Sequence, residues 1–186
     1  MQNLNQYQGI VERAARIAIT AHAGQKRKKD GFPYIIHPFM VASILMRQGF
    51  DDTVVAAALV HDVIEDTEVG EAELRDIVGD EAMEIVRAVT EDKTLPLRER
   101  KEQYIATVRA GNEGAKAVAV ADKIHNLRSL LAVYDGDETW KQFNGGRESH
   151  TWFHESMLAM FRDTFSHPLV DEYAQLVEDL KHLPQG

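Results

Sequence analysis

The sequence predicts an all-α, single-domain helical bundle, and three observations carry that reading. Apolar residues return at helical spacing in segment after segment, strand-like alternation is absent, and glycine, proline and short polar turns separate the segments. The 186 residues, 44% of them hydrophobic, suit one compact domain spanning 1–186 with a sizeable core. Without cysteine, disulfides, thiolate metal sites and a cysteine nucleophile are excluded. No stretch approaches the roughly 18 apolar residues of a membrane span, and the N-terminus lacks the apolar core of a signal peptide. The expectation is a soluble cytoplasmic protein. A net charge of -9 opposes general binding to nucleic acid or anionic membranes, so a polyanionic ligand needs a local basic patch.

The first segment, Tyr7 to Ala23, places Ile10, Ala14, Ile17, Ala18 and Ala21 at helical spacing and stops before Gly24. Gln25 to Gly31, QKRKKDG, is a basic loop, and the PYII run beyond it is too brief for a strand. Pro38 fits a first helical turn, so HPFMVASILMRQG reads as a helix ending at Gly49 with His37 at its entrance. Asp51, Asp52 and Thr53 offer N-caps for the central segment, Val54 to Thr67, VVAAALVHDVIEDT. Glu71 to Val78 and Asp80 to Thr90 read as two short amphipathic helices parted by Gly79. After the polar loop TEDKTLP, Leu97 to Ala110 sets a charged face against Tyr104, Ile105 and Val108, a surface helix ended by GNEG. Ala115 to Tyr134 drives apolar sequence, AVAVA, into Asp122, followed by His125, Asn126 and Arg128. Trp152 to Phe165 and Pro168 to Leu183 carry two more helical patterns.

In the central segment, seven small or branched apolar residues run straight into His61, Asp62, Glu65 and Asp66. A carboxylate taken out of water without a partner costs several kcal/mol, so the cluster implies hydrogen-bonded partners or a metal. In a continuous helix His61 and Glu65 sit one turn apart, as do Asp62 and Asp66. The His-Asp pair can offer an imidazole nitrogen and a carboxylate oxygen to one ion, leaving Glu65 and Asp66 free to move protons. His37 and Asp122 also lie beside apolar sequence on separate segments, so a shared ion would let all four be buried together. Two imidazoles and two carboxylates suit Mn²⁺, Fe²⁺, Zn²⁺ or Ni²⁺ rather than Ca²⁺ or Cu⁺. Four protein ligands leave room for water or substrate, as a catalytic site requires. Taken singly, a histidine or aspartate beside an apolar run is more often a satisfied core residue or a cap, and Lys26 to Lys29 a solvated turn. Trp140, Trp152 and Phe153 read as core, while His22, His150, His154, His167 and His182 show no functional pattern.

Three blocks, AHAGQKRKKDGFPYIIHPFMVASIL, AALVHDVIEDT and VADKIHNLRSL, stand in that order between Ala21 and Leu131. Together they resemble the HD-domain hydrolases of the RelA/SpoT class, most closely the single-domain small alarmone hydrolases. The resemblance implies that His37, His61, Asp62 and Asp122 bind one Mn²⁺ per chain and that Glu65 and Asp66 serve the catalytic step. It implies that Asn126 contacts substrate and that the basic loop, with Arg27, Lys28 and Lys29, approaches a guanine nucleotide and its phosphates. The implied reaction removes pyrophosphate from the 3′ position of ppGpp or pppGpp, leaving GDP or GTP, and so degrades alarmone in the stringent response. An HD phosphohydrolase acting on another nucleotide or nucleotide cofactor is an alternative, but Glu65-Asp66 with the basic loop argues against a simple monophosphatase. A non-catalytic nucleotide sensor would be expected to have lost ligands or the Glu-Asp pair, and this chain keeps them. Nucleic-acid binding through KRKK is disfavoured, because one short basic run without interleaved aromatics sits on an acidic protein.

Overall fold

From Val54 to Val60 every side chain is apolar, and the chain accommodates this by burying the whole stretch. A helix without a polar face belongs at the centre of a bundle. The computed structural model describes residues 4–27 and 31–184. After a single 3₁₀ turn at Leu4–Gln6, its helices are α1 (Ile10–Ala21), α2 (Ile36–Arg47), α3 (Asp52–Val60), α4 (Val63–Asp66) and α5 (Glu71–Ala88). They continue with α6 (Leu97–Ala110), α7 (Glu113–Ala132), α8 (Gly136–Trp140), α9 (Gly146–Thr164) and α10 (Pro168–Lys181). Among the described residues the extended backbone amounts to one isolated bridge, Lys26 to Pro33, which closes the neck of the basic loop.

Helix α3 packs against α1, α2, α5 and α7, while α7 also meets α2, α6, α9 and α10. The two most buried helices therefore lie side by side, with α1, α2 and α5 gathered on α3 and α6, α9 and α10 on α7. Each is started by a side-chain cap: Asp51 Oδ1 accepts from Val54 N at 3.0 Å, and Asn112 Oδ1 accepts from Ala115 N at 2.9 Å. Such caps contribute about 1 kcal/mol each.

Three sequence expectations are revised. The central segment is not one helix to Thr67: it breaks at His61 and Asp62, and a single turn, α4, follows. The cause is local, because the His61 ring turns back so that Nδ1 lies 2.7 Å from the Ala58 carbonyl, an acceptor within the helix's own last turn. The strict one-turn stacking of His61 on Glu65 therefore does not apply. The expected division at Gly79 holds: its backbone is non-helical at φ 82°, and the two helical stretches on either side share the label α5. Helix α9 starts at Gly146, ahead of Trp152, because Arg147 to Thr151 are helical without an apolar period. Trp140 and Phe153 are core residues, whereas Trp152 is only partly buried and lies under the Arg98 guanidinium at 3.3 Å.

Candidate active site

His37 enters from the first turn of α2, His61 and Asp62 from the break after α3, and Asp122 from the middle of α7. The structure brings all four together. His37 Nε2 lies 3.1 Å from Asp122 Oδ1 and 3.6 Å from Asp62 Oδ2, and His61 Nε2 lies 3.9 and 3.2 Å from the same two oxygens. The ligating atoms of His37, His61 and Asp122 all fall within 4.8 Å of one another, and those residues are buried.

The outer edges of both rings are occupied. His61 Nδ1 faces the Ala58 carbonyl, which places its proton there, and His37 Nδ1 lies 2.7 Å from His125 Nδ1. Both Nε2 atoms are thereby turned inward, and buried His61 Nε2 has no aligned hydrogen-bond partner despite its closeness to Asp62. An inward lone pair beside two buried carboxylates fits a divalent cation, with His125 holding the His37 ring as an outer partner. Burial alone would raise the Asp122 pKa, but Lys123, His37 and His61 hold it well below the usual carboxylate range. Asp62 Oδ2 also accepts from the Tyr34 hydroxyl at 2.6 Å, and burial and the Asp62 charge push that hydroxyl's pKa up, keeping it a donor.

Glu65 and Asp66 sit on α4 at the rim. Burial, then the Asp62 charge, raises the Glu65 pKa above its ordinary value, against a bond from Glu91 N to its Oε2 at 3.1 Å and the Lys93 charge. Lys93 straddles the pair: its Nζ is 3.0 Å from the Glu65 carbonyl, 3.3 Å from Glu65 Oε1, and bonded to Asp66 Oδ1. The arrangement holds a carboxyl of raised proton affinity and a salt-bridged carboxylate side by side.

Beside them opens a cavity of about 670 Å³, lined in part by Arg27, Tyr34, Asp66 and Asn126. That volume suits a ligand of nucleotide size. Arg27 reaches Asn126 Oδ1 at 3.4 Å, and Asn126, one turn beyond Asp122 on α7, donates to Asp122 Oδ1. Lys28 and Lys29 lie outside the described residues. A second group of lining residues was not singled out from sequence: Arg100, Lys101 and Lys123 on α6 and α7, and Gln142, Asn144, Ser149 and His150 before and within α9. Lys123 carried a usable signal, a lysine inside the apolar run AVAVADKI. Lys93 and Tyr34 carried none, since their partners are remote in sequence.

The HD domain family model matches residues 14–143. The mouse (Mus musculus) guanosine-3′,5′-bis(diphosphate) 3′-pyrophosphohydrolase MESH1 is 45% identical over 120 residues, covering 63% of this chain and 67% of the relative. Among solved structures, a metazoan ortholog of SpoT that hydrolyses ppGpp and plays a role in starvation responses superposes with a TM-score of 0.81 at 27% identity. That match spans 95% of this chain and 98% of the other. The crystal structure of lmo0812 from Listeria monocytogenes gives a TM-score of 0.73 at 39% identity, over 81% and 96% of the two chains.

Proposed function

The chain belongs to the HD domain family, and from that premise we propose that it hydrolyses ppGpp and pppGpp at the 3′ position, yielding pyrophosphate and GDP or GTP. One observation supports this reading beyond the family: two histidines and two aspartates converge within hydrogen-bonding reach of Tyr34 and Asn126, and those two residues, with Asp66, line a cavity that Arg27, Arg100, Lys101 and Lys123 also line. His37, His61, Asp62 and Asp122 hold one divalent ion, Mn²⁺ in our reading. Bound there, it supplies Lewis acidity toward a phosphate oxygen.

The remaining steps belong to the chain's own groups. Water adds to the phosphorus carried by the ribose 3′ oxygen and the P–O3′ bond breaks, so one proton must leave the water and one must reach the 3′ oxygen. In this reading Glu65 and Asp66 carry the two transfers, and the raised pKa of Glu65, caused by burial and the Asp62 charge, brings it closer to neutrality, where a proton carrier works best. Arg27 and Asn126 orient the nucleotide, with Lys28 and Lys29 on the same loop adding positive charge. The whole chain acts as one hydrolase domain. No helix among the described residues is long and apolar enough to cross a membrane, and we place the reaction in the cytoplasm.

Chromatographic analysis of products from Mn²⁺-loaded protein tests the proposal. GDP with pyrophosphate is expected from ppGpp, with kcat/KM well above that for GTP or a 3′-monophosphate nucleotide. Orthophosphate in place of pyrophosphate would move the protein into the phosphatases.

A further inference from the structure

We propose that Arg100 and Lys101 form a second anion subsite in the cavity, on α6, which takes the 5′-diphosphate of the nucleotide. This rests on the hydrolase assignment above, since a substrate with phosphates at both ends must place one end away from the metal.

Arg27 belongs to the metal end, because its guanidinium reaches Asn126, which is bonded to Asp122. The α6 cations are built differently. Arg100 and Lys101 side chains are only 21% and 22% exposed, unusual for residues on a helix read from sequence as a surface element. Both lean on a single carboxylate, Glu91, at 2.9 Å from Arg100 Nε and in contact with Lys101 Nζ. The Arg100 Nε pair lacks hydrogen-bond alignment, leaving a buried donor unsatisfied. Lys123 is pinned by Asp122 Oδ2 at 2.6 Å, a carboxylate already committed to the ion site.

Lys101 and Lys123 also crowd one aromatic ring: their ammonium groups lie 4.4 and 5.5 Å from the centroid of Phe153. Arg100 and Lys101, both partly withdrawn from water, share one carboxylate, and Lys123 adds a third positive charge beside the same ring. Cations withdrawn from water at a cavity wall, repelling one another, are stabilised by an anion that enters the cavity. Ser149, Gln142 and Asn144 line the same cavity and offer neutral donors to phosphate oxygens. A compact polyanion such as a diphosphate matches this wall; a neutral sugar or a lone base does not.

The test compares metal-loaded wild type with Arg100→Gln/Lys101→Met on two substrates, ppGpp and guanosine 3′-diphosphate, which lacks 5′ phosphates. The subsite requires KM for ppGpp to rise roughly 10- to 100-fold with kcat within about threefold, while both constants for guanosine 3′-diphosphate stay within about twofold. Because Lys101→Met strips Glu91 of a partner, the charge-conserving Arg100→Lys/Lys101→Arg pair is the control, and it should restore KM to within about threefold of wild type. Equal losses on both substrates, or an unchanged KM for ppGpp, would overturn the subsite. If wild type cleaves neither substrate, the hydrolase assignment fails instead. Titration calorimetry with inorganic pyrophosphate then decides the subsite alone, by at least about tenfold weaker binding to the Gln/Met variant or by none.

Discussion

The cluster of two histidines and two aspartates and the cationic wall of the cavity hold charge away from water by opposite means. His37 and Asp122 project from α2 and α7, and His61 and Asp62 from the break after α3, all beside buried apolar residues; α7 alone buries Ala115, Val118, Val120, Ile124 and Leu127 beside its aspartate. Arg100 and Lys101 ride α6, whose buried residues are only Tyr104 and Val108. At the first, two carboxylates face the Nε2 atoms of two imidazoles, a donor set that a divalent ion would complete. At the second, Arg100 and Lys101 share one carboxylate, Glu91, and on our proposal a substrate anion completes them. The difference separates what holds the site in shape from what selects its ligand.

The sharpest way to break that separation is to remove one ligand. His61→Ala should bring metal content from about one ion per chain to near none and turnover to background. It should also lower stability by about 3 kcal/mol or more, because Asp62 and Asp122 lose the charge that balances them. Elemental analysis, a turnover assay and a denaturant titration read the three effects. Activity surviving complete chelation would show that the donor set is structural.

Next in size, Glu65→Gln keeps shape and hydrogen bonds but cannot exchange a proton at neutral pH. Turnover should fall roughly 10² to 10⁴ fold while metal content and KM hold. Unchanged turnover would leave Glu65 as a spacer beside Lys93 and assign the proton work to Asp66.

The same contrast explains what could be read from the sequence. Histidines and aspartates inside apolar runs stand out, because burial of such groups demands a reason, and so the convergence of His37, His61, Asp62 and Asp122, with Glu65 and Asp66 close by, was legible. The break at His61 was not, since it depends on a ring folding back onto the Ala58 carbonyl. Arg100 and Lys101 were illegible because LRERKEQY has the pattern of a solvated helix face, and only the approach of α7 and α9 converts that face into a cavity wall. His125 was visible as a residue but not as the outer partner of His37, which is 88 positions away. Local patterning reports burial, whereas partnership across the bundle is set by packing.

The smallest effect concerns the back of the cationic end. His154 is buried, with Nδ1 2.6 Å from the Tyr173 hydroxyl, and burial, then His150, Lys123 and Lys101, hold its pKa well below the ordinary histidine value. In the folded protein it stays neutral, because a proton there would add a further positive charge behind Lys101 and Lys123. The unfolded chain takes that proton near pH 6.5. Above that pH neither state binds it and His154 contributes no pH dependence; below it the unfolded state gains protons and stability falls, by up to about 1.4 kcal/mol per pH unit from this group. Urea titrations of Mn²⁺-saturated protein at pH 7.5, 6.0 and 5.0 should show that decline, and His154→Gln, which cannot protonate, should show a shallower one. Equal slopes for the two proteins would place the acid sensitivity at the metal end, where protonation of His37 and His61 competes with the ion, and would remove repulsion among the cavity's cations as a limit on its stability.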